Sequence, residues 1–211
     1  KLFVLIIPNQ NSIYKIDAVK RDLNKNIKYF ISSLTNDNGV KLIFPLDELL
    51  TNNKPDQERV YFYTDHHTTD DGTFIVYKEL IKSVQKEFPN IKPLTKDDFT
   101  YFYNTEIRAE RQRSFSVGQT CRLIGLTIPT CEKYLDYQYR YFTHKNHLLV
   151  TKKDIDEKYL LANTYHYPKG ANYRVLVFGD SSIENLMEFI PYTFKDVYKI
   201  RLNGPLSLSE N

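Results

Sequence analysis

Leu2–Ile7 is an unbroken apolar run stopped by Pro8-Asn9, the pattern of a strand buried on both faces. Ile16, Val19, Leu23, Ile27, Phe30, Ile31 and Leu34 then recur at steps of three and four, which predicts an amphipathic helix. Asn36-Asp37-Asn38-Gly39 ends it, and Val40–Phe44 reads as a second strand. A βαβ opening of this kind predicts a right-handed crossover and a parallel sheet covered on both faces. After Val60–Tyr63, a further helix places Tyr77, Leu80, Ile81, Val84 and Phe88 on one face, with Thr69, Asp70 and Asp71 as candidate caps.

From about residue 92 to 170 the periodicity fades. Arg108, Arg111, Arg113 and Arg122 cluster there, and Tyr137, Tyr139 and Tyr141 alternate as on one face of a strand. This stretch reads as an irregular insertion with some β structure. Regular patterning returns with Arg174–Phe178, then Gly179-Asp180-Ser181-Ser182 and a helix carrying Ile183, Leu186, Met187 and Ile190. Val197–Ile200 reads as one more strand. The expectation is a single α/β domain over residues 1–211 with a mostly parallel sheet.

Composition narrows the class of function more than the fold. Hydrophobic residues make up 41% and charged residues 26%, which excludes wholesale disorder. A net charge of +3 offers no concentrated basic face, so no nucleic-acid partner is expected. Aromatic residues reach 14%, from 17 Tyr and 13 Phe without Trp; biased residue usage explains this, and carbohydrate stacking is the alternative. Cys121 and Cys131 lie ten apart, either as two buried thiols or as a short loop closed in an oxidising compartment. Their spacing does not make a zinc site. No apolar run approaches the roughly 18 residues of a membrane span. The chain opens on a strand without an initiating Met and reads as a piece of a longer protein, so location is not legible.

The serine turn is the first candidate for chemistry. A buried strand ending in Gly-Asp-Ser ahead of a helix puts Ser181 at the carboxyl edge of the sheet, where open α/β folds bind ligands. Backbone N–H groups at Ser181 and Ser182 could face an oxyanion there. Against this, Ser181 and Glu184 spell the S-x-x-E capping box, which accounts for both residues without chemistry. If Ser182 is the cap, Ser181 is left to act.

A serine needs a base, and the base needs an orienting group. Asp65 and His67 stand two apart, so an extended segment would turn both to one side, with His66 opposite. Asp65, His66, His67, Asp70 and Asp71 also admit a metal-site reading, although Asp70 or Asp71 suits a helix cap. His144, His147 and His166 read as packing or surface residues.

Together these segments resemble a known family. Tyr63-Thr64-Asp65-His66-His67-Thr68, continuing through Gly72 to Tyr77, resembles the Tyr-x-Thr-Asp-x-His-Trp-Thr…Gly…Ala-Tyr stretch of alginate O-acetyltransferase-like and DHHW proteins. Val177–Ser181 is similar to their Gly-Asp-Ser block, and Leu5–Asn9 with Ile13-Tyr14 to their opening strand and turn. The resemblance covers about residues 1–90 and 172–202, and three blocks in the right order carry it.

It implies an SGNH-hydrolase-like three-layer sandwich and an acetyl-serine enzyme acting on an exported or cell-surface polysaccharide outside the cytoplasm. Ser181 would be the nucleophile, His67 the base and Asp65 the orienter. Gly118 would be a second oxyanion block beside Ser182, though a loop glycine explains it equally. Arg108, Arg111 and Arg113 could hold an anionic sugar chain, though a solvated charged face is the usual explanation of such a cluster, and the three tyrosines could form a sugar face. Partners would be a polysaccharide acceptor and an acetyl donor, the latter passed on by a membrane acyltransferase; no cofactor or metal is called for. Thr68 stands where the family has Trp, and Thr73 where it has Ala. An acetylesterase of the same mechanism, an inactive carbohydrate-binding domain and a metal-dependent hydrolase remain open.

Overall fold

Leu2–Leu5 (β1) and Val40–Ile43 (β2) pair in parallel, Leu2 opposite Val40 and Leu5 opposite Ile43, as the apolar run and the βαβ spacing predict. This is seen in a computed structural model, which describes residues 1–14, 27, 29–30, 39–54, 58–62, 66–103, 140–157 and 160–202. Of the long helical stripe, residues 27, 29 and 30 are described, and they are helical. The chain forms two compact units, Lys1–Val84 with Tyr101–Tyr141, and Gln85–Thr100 with Phe142–Asn211.

In the first unit, Gln10–Tyr14 (α1) follows the Pro8-Asn9 stop, and Leu46–Asn52 (α2) follows β2. The helix Asp70–Gln85 (α3) turns Phe74, Tyr77, Ile81 and Val84 inward at the helical spacing. Thr69 caps it: its Oγ1 accepts the Gly72 N–H at 3.1 Å. The same hydroxyl donates to the Arg59 carbonyl, and the Thr69 N–H donates to Val60 O at 3.1 Å. Gly72 lets the helix start lie on the chain at Val60, since a Cβ there would stand 2.0 Å from Val60 O.

Phe99–Tyr103 (β3) and Arg140–His144 (β4) form a two-stranded sheet. The second unit holds Thr151–Glu157 (β5), Leu160–His166 (β6), Ala171–Gly179 (β7) and Phe194–Leu202 (β8), in the order β5-β6-β8-β7. The expectation of a mostly parallel sheet fails here. β5 with β6 and β6 with β8 are antiparallel, and only β7 with β8 is parallel. Connection length is the reason. Two residues, 158 and 159, separate β5 from β6, too few for a crossover, whereas residues 180–193 between β7 and β8 suffice. Part of the stretch read as irregular, residues 151–166, is therefore two regular strands of this sheet.

Between β6 and β7 the chain passes over the start of β8. Tyr167 N–H donates to Lys195 O and Ala171 N–H to Thr193 O, both at 2.9 Å. Gly170 lies so close that a Cβ would meet the Phe194 carbonyl carbon at 2.4 Å. Phe99, Phe142 and Phe189 form the core beneath, with ring centres 5.4 to 6.0 Å apart. One sheet face is buried, with Val197 and Lys199 on it. The other carries Leu176, Phe178 and Tyr198 exposed, where sequence reading expected cover on both faces. Among the described residues no helix is long and apolar enough to cross a membrane.

Candidate active site

The described limbs of a narrow arch in the first unit are Tyr61-Phe62 and His66–Thr68. Tyr61 bridges to Thr68 in antiparallel fashion, and Phe62 N–H donates to His67 O at 3.3 Å. His66 and His67 sit in a bend and not in the extended segment that would turn Asp65 and His67 to one side, their rings 4.0 Å apart and tilted by 37°. His66 is exposed and His67 half-buried. Asp65 lies outside the described residues, as does the alternation that would have placed it beside His67.

The arch is clamped by the other block of the resemblance in this unit. Tyr14 Oη donates to Tyr61 O at 2.7 Å and accepts the Tyr61 N–H at 3.2 Å. Tyr61 in turn donates its hydroxyl to Pro8 O, and Gln10 Nε2 donates to Phe62 O. Burial, and after it the neighbouring Tyr14, raises the Tyr61 phenol far above its ordinary pKa, so it acts as a neutral donor. The opening strand-and-turn block and the histidine block, 47 residues or more apart in sequence, are thus one assembly.

The two departures from the family pattern also meet. Thr68 Oγ1 and Thr73 Oγ1 are 2.7 Å apart and buried. Thr73 Oγ1 also reaches Thr69 O at 2.8 Å, which ties the pair to the helix start. The two threonines form a buried hydroxyl pair beside the arch.

Ser181 belongs to the second unit, in the turn after β7. Asp180 Oδ1 accepts the Ser182 N–H at 2.8 Å, an Asx turn that directs the chain into the short helix Ile183–Leu186 (α4). Ser182 stands at its N-cap and makes no side-chain cap bond. Both bonds a capping box requires of Glu184 go elsewhere. Its N–H donates to the Ser181 carbonyl at 3.1 Å, and its carboxylate accepts from Lys199 Nζ at 2.7 and 2.8 Å. Lys199 is a residue that sequence reading passed over. Its signal is the alternation Val197, Lys199, Arg201 on one strand face, together with the acid three places past Ser181.

Gly118, Arg108, Arg111, Arg113, Tyr137 and Tyr139 lie outside the described residues. Tyr141 is on β4, in the first unit. His144 is a packing residue as expected, buried and stacked on Tyr192 at 4.0 Å, while His166 is an exposed partner of Asp196 at 2.7 Å.

No family model and no curated protein matches the chain. Among solved structures, Bacillus cereus PatB1 matches 95% of this chain and 73% of its own length at TM-score 0.65 and 18% identity. A second PatB1 structure, carrying a sulfonyl adduct, matches at 0.64 and 16%. A DHHW family protein from Eubacterium siraeum matches 94% of this chain and 68% of its own length at 0.64 and 11%. The chain shares the fold of PatB1 and of a DHHW protein. Identities this low establish the fold and nothing finer.

Proposed function

We propose that the chain is a serine-dependent O-acetyltransferase whose acceptor is an exported or cell-surface polysaccharide. The observation that carries the reading is the turn at Ser181. A strand feeds a Gly-Asp-Ser corner, and the bonds a helix cap would have required of Glu184 are made with other groups. Likeness of fold to PatB1, which has been obtained with a sulfonyl adduct, supports a nucleophile in this scaffold.

Ser181 Oγ attacks the donor's acetyl carbonyl while His67 takes its proton, and Asp65 fixes the imidazole tautomer. Collapse of the tetrahedral intermediate expels the donor's leaving group with that proton and leaves an acetyl-serine. His67 then deprotonates a sugar hydroxyl, which attacks the acetyl group and restores Ser181. Gly118 and the Ser182 N–H are the oxyanion donors in this scheme; the Asp180 carboxylate must swing aside to release the latter, which it holds here. Arg108, Arg111, Arg113 and the tyrosines at 137, 139 and 141 contact the sugar chain. A membrane acyltransferase passes the acetyl group on, and the reaction runs outside the cytoplasm without a cofactor.

The test is release of p-nitrophenol from p-nitrophenyl acetate in the presence of chelator. Release that disappears in Ser181→Ala and His67→Ala supports the reading. Release that needs metal and survives Ser181→Ala overturns it. Adding an oligosaccharide and weighing the product separates transfer from hydrolysis, since an esterase forms acetate alone.

A further inference from the structure

The buried face of the four-stranded sheet holds a cluster of charge next to the serine turn. Lys199 is only 3% exposed, in the middle of β8, and its ammonium grips both oxygens of Glu184. Arg201, two residues on along the same face, brings Nη1 to 3.7 Å from Glu184 Oε1. Its Nε is buried without a hydrogen-bond partner. An ion pair this deep costs desolvation, and an apolar pair of similar volume would often serve stability equally well. Its presence asks for another role.

Geometry supplies one. Glu184 N–H holds the Ser181 carbonyl at 3.1 Å, so the residue whose carboxylate is pinned to β8 also holds the serine's backbone. In the β7–β8 register Val177 pairs with Lys199 and Gly179 with Arg201, the last two inward positions before the turn. The four-residue helix α4 is too short to fix itself in place. Buried Ile183 and Leu186 pack it down, and the Glu184 carboxylate adds a directional tie to β8.

We propose that Glu184 and Lys199, with Arg201 beside them, are positioning residues that hold the Ser181 turn in register with the sheet for acyl transfer. This rests on the reading of Ser181 as nucleophile. The pair touches no substrate. It acts on where Oγ stands, and a displacement of about an ångström at a reacting group can cost on the order of a hundredfold in rate.

The experiment compares wild type, Lys199→Arg, Glu184→Gln and the double variant Glu184→Met/Lys199→Met in the 211-residue chain. It measures kcat and KM with p-nitrophenyl acetate, the rate of covalent labelling by phenylmethylsulfonyl fluoride by mass, and the unfolding midpoint. The double variant keeps a packed core and serves where a single change unfolds the chain. The expected result is that Glu184→Gln and the double variant lose roughly 10- to 100-fold in kcat and labelling rate with KM nearly unchanged, while Lys199→Arg retains most activity. A folded double variant with wild-type kcat and labelling rate overturns the positioning role and leaves the nucleophile reading standing. Wild type that is neither labelled at Ser181 nor slowed by Ser181→Ala overturns the nucleophile reading, and the positioning role with it.

Discussion

Gly72→Ala distinguishes two accounts of the arch by the sign of its effect. In an unpacked helix the substitution stabilises by about 1 kcal/mol, because alanine is the better helix former. Here the added Cβ would stand 2.0 Å from Val60 O, 2.7 Å from its carbonyl carbon and 2.9 Å from its Cα, against 3.4 Å for ordinary contact. All three are backbone atoms of a wholly buried residue, so no side chain can rotate away. The helix start and the Val60 segment must part by about 1.4 Å, which stretches the 3.1 Å Thr69 N–H···Val60 O bond past any useful length. Overpacking costs about 1–3 kcal/mol and the broken bond about 1 kcal/mol, so after the gain in propensity the net loss is about 1–3 kcal/mol. Urea unfolding followed by circular dichroism reads this as a midpoint lower by about 0.5–1.5 M. Lys78→Ala, exposed on the same helix, should change stability by no more than about 0.5 kcal/mol. A Gly72→Ala chain as stable as wild type, or more so, would refute the close approach and the clamped arch built on it.

Two further outcomes follow from the packing. Tyr14→Phe removes the hydroxyl that serves both the N–H and the C=O of buried Tyr61, and should destabilise by about 1–3 kcal/mol in the same assay. His144 is buried among Tyr192, Tyr167 and Phe99, and its Nδ1 accepts the Asn146 N–H at 3.0 Å. Burial lowers its pKa, Asp98 opposes that and His147 adds to it. Below the unfolded value of about 6.5 the unfolded chain therefore binds a proton that the folded chain does not. Stability is fully present above that pH and falls as pH drops toward the folded pKa. Urea midpoints at pH 7 and 5 should show the fall, with a smaller one in His144→Phe.

Much of this fold could be read from local pattern, because the apolar runs of β1, β2 and β7 and the helical spacing of α3 are plain, although β1 is half-buried with Leu2 exposed and not buried on both faces as its run suggests. β5 could not. Thr151–Glu157 is an edge strand whose residues from Thr151 to Ile155 are exposed, so its Lys-Lys-Asp-Ile-Asp sequence carries no alternation to detect. Nor could the antiparallel neighbours of β8, since pairing direction depends on connections between strands and not on the strands themselves. At the site, Thr69 as a cap follows from its position, whereas the close approach of Gly72 to Val60 is a tertiary contact that no local pattern announces. The S-x-x-E pattern at Ser181 misled for a physical reason: a lysine fifteen residues downstream takes the carboxylate that local pattern assigns to the helix start. Likewise, the Asp-x-His spacing would set both side chains to one side only in an extended segment, but His66 and His67 stand in a bend, with His67 O held by Phe62 N–H.

The central claim is that Ser181 carries the acetyl group with His67 as its base. Its most direct test is peptide mass mapping after brief exposure to p-nitrophenyl acetate and acid quench, in wild type and His67→Ala. The account predicts one acetyl group on the peptide containing Ser181 in wild type and a large loss of it in His67→Ala. An acetyl group found elsewhere, or on Ser181 equally in both proteins, would contradict it.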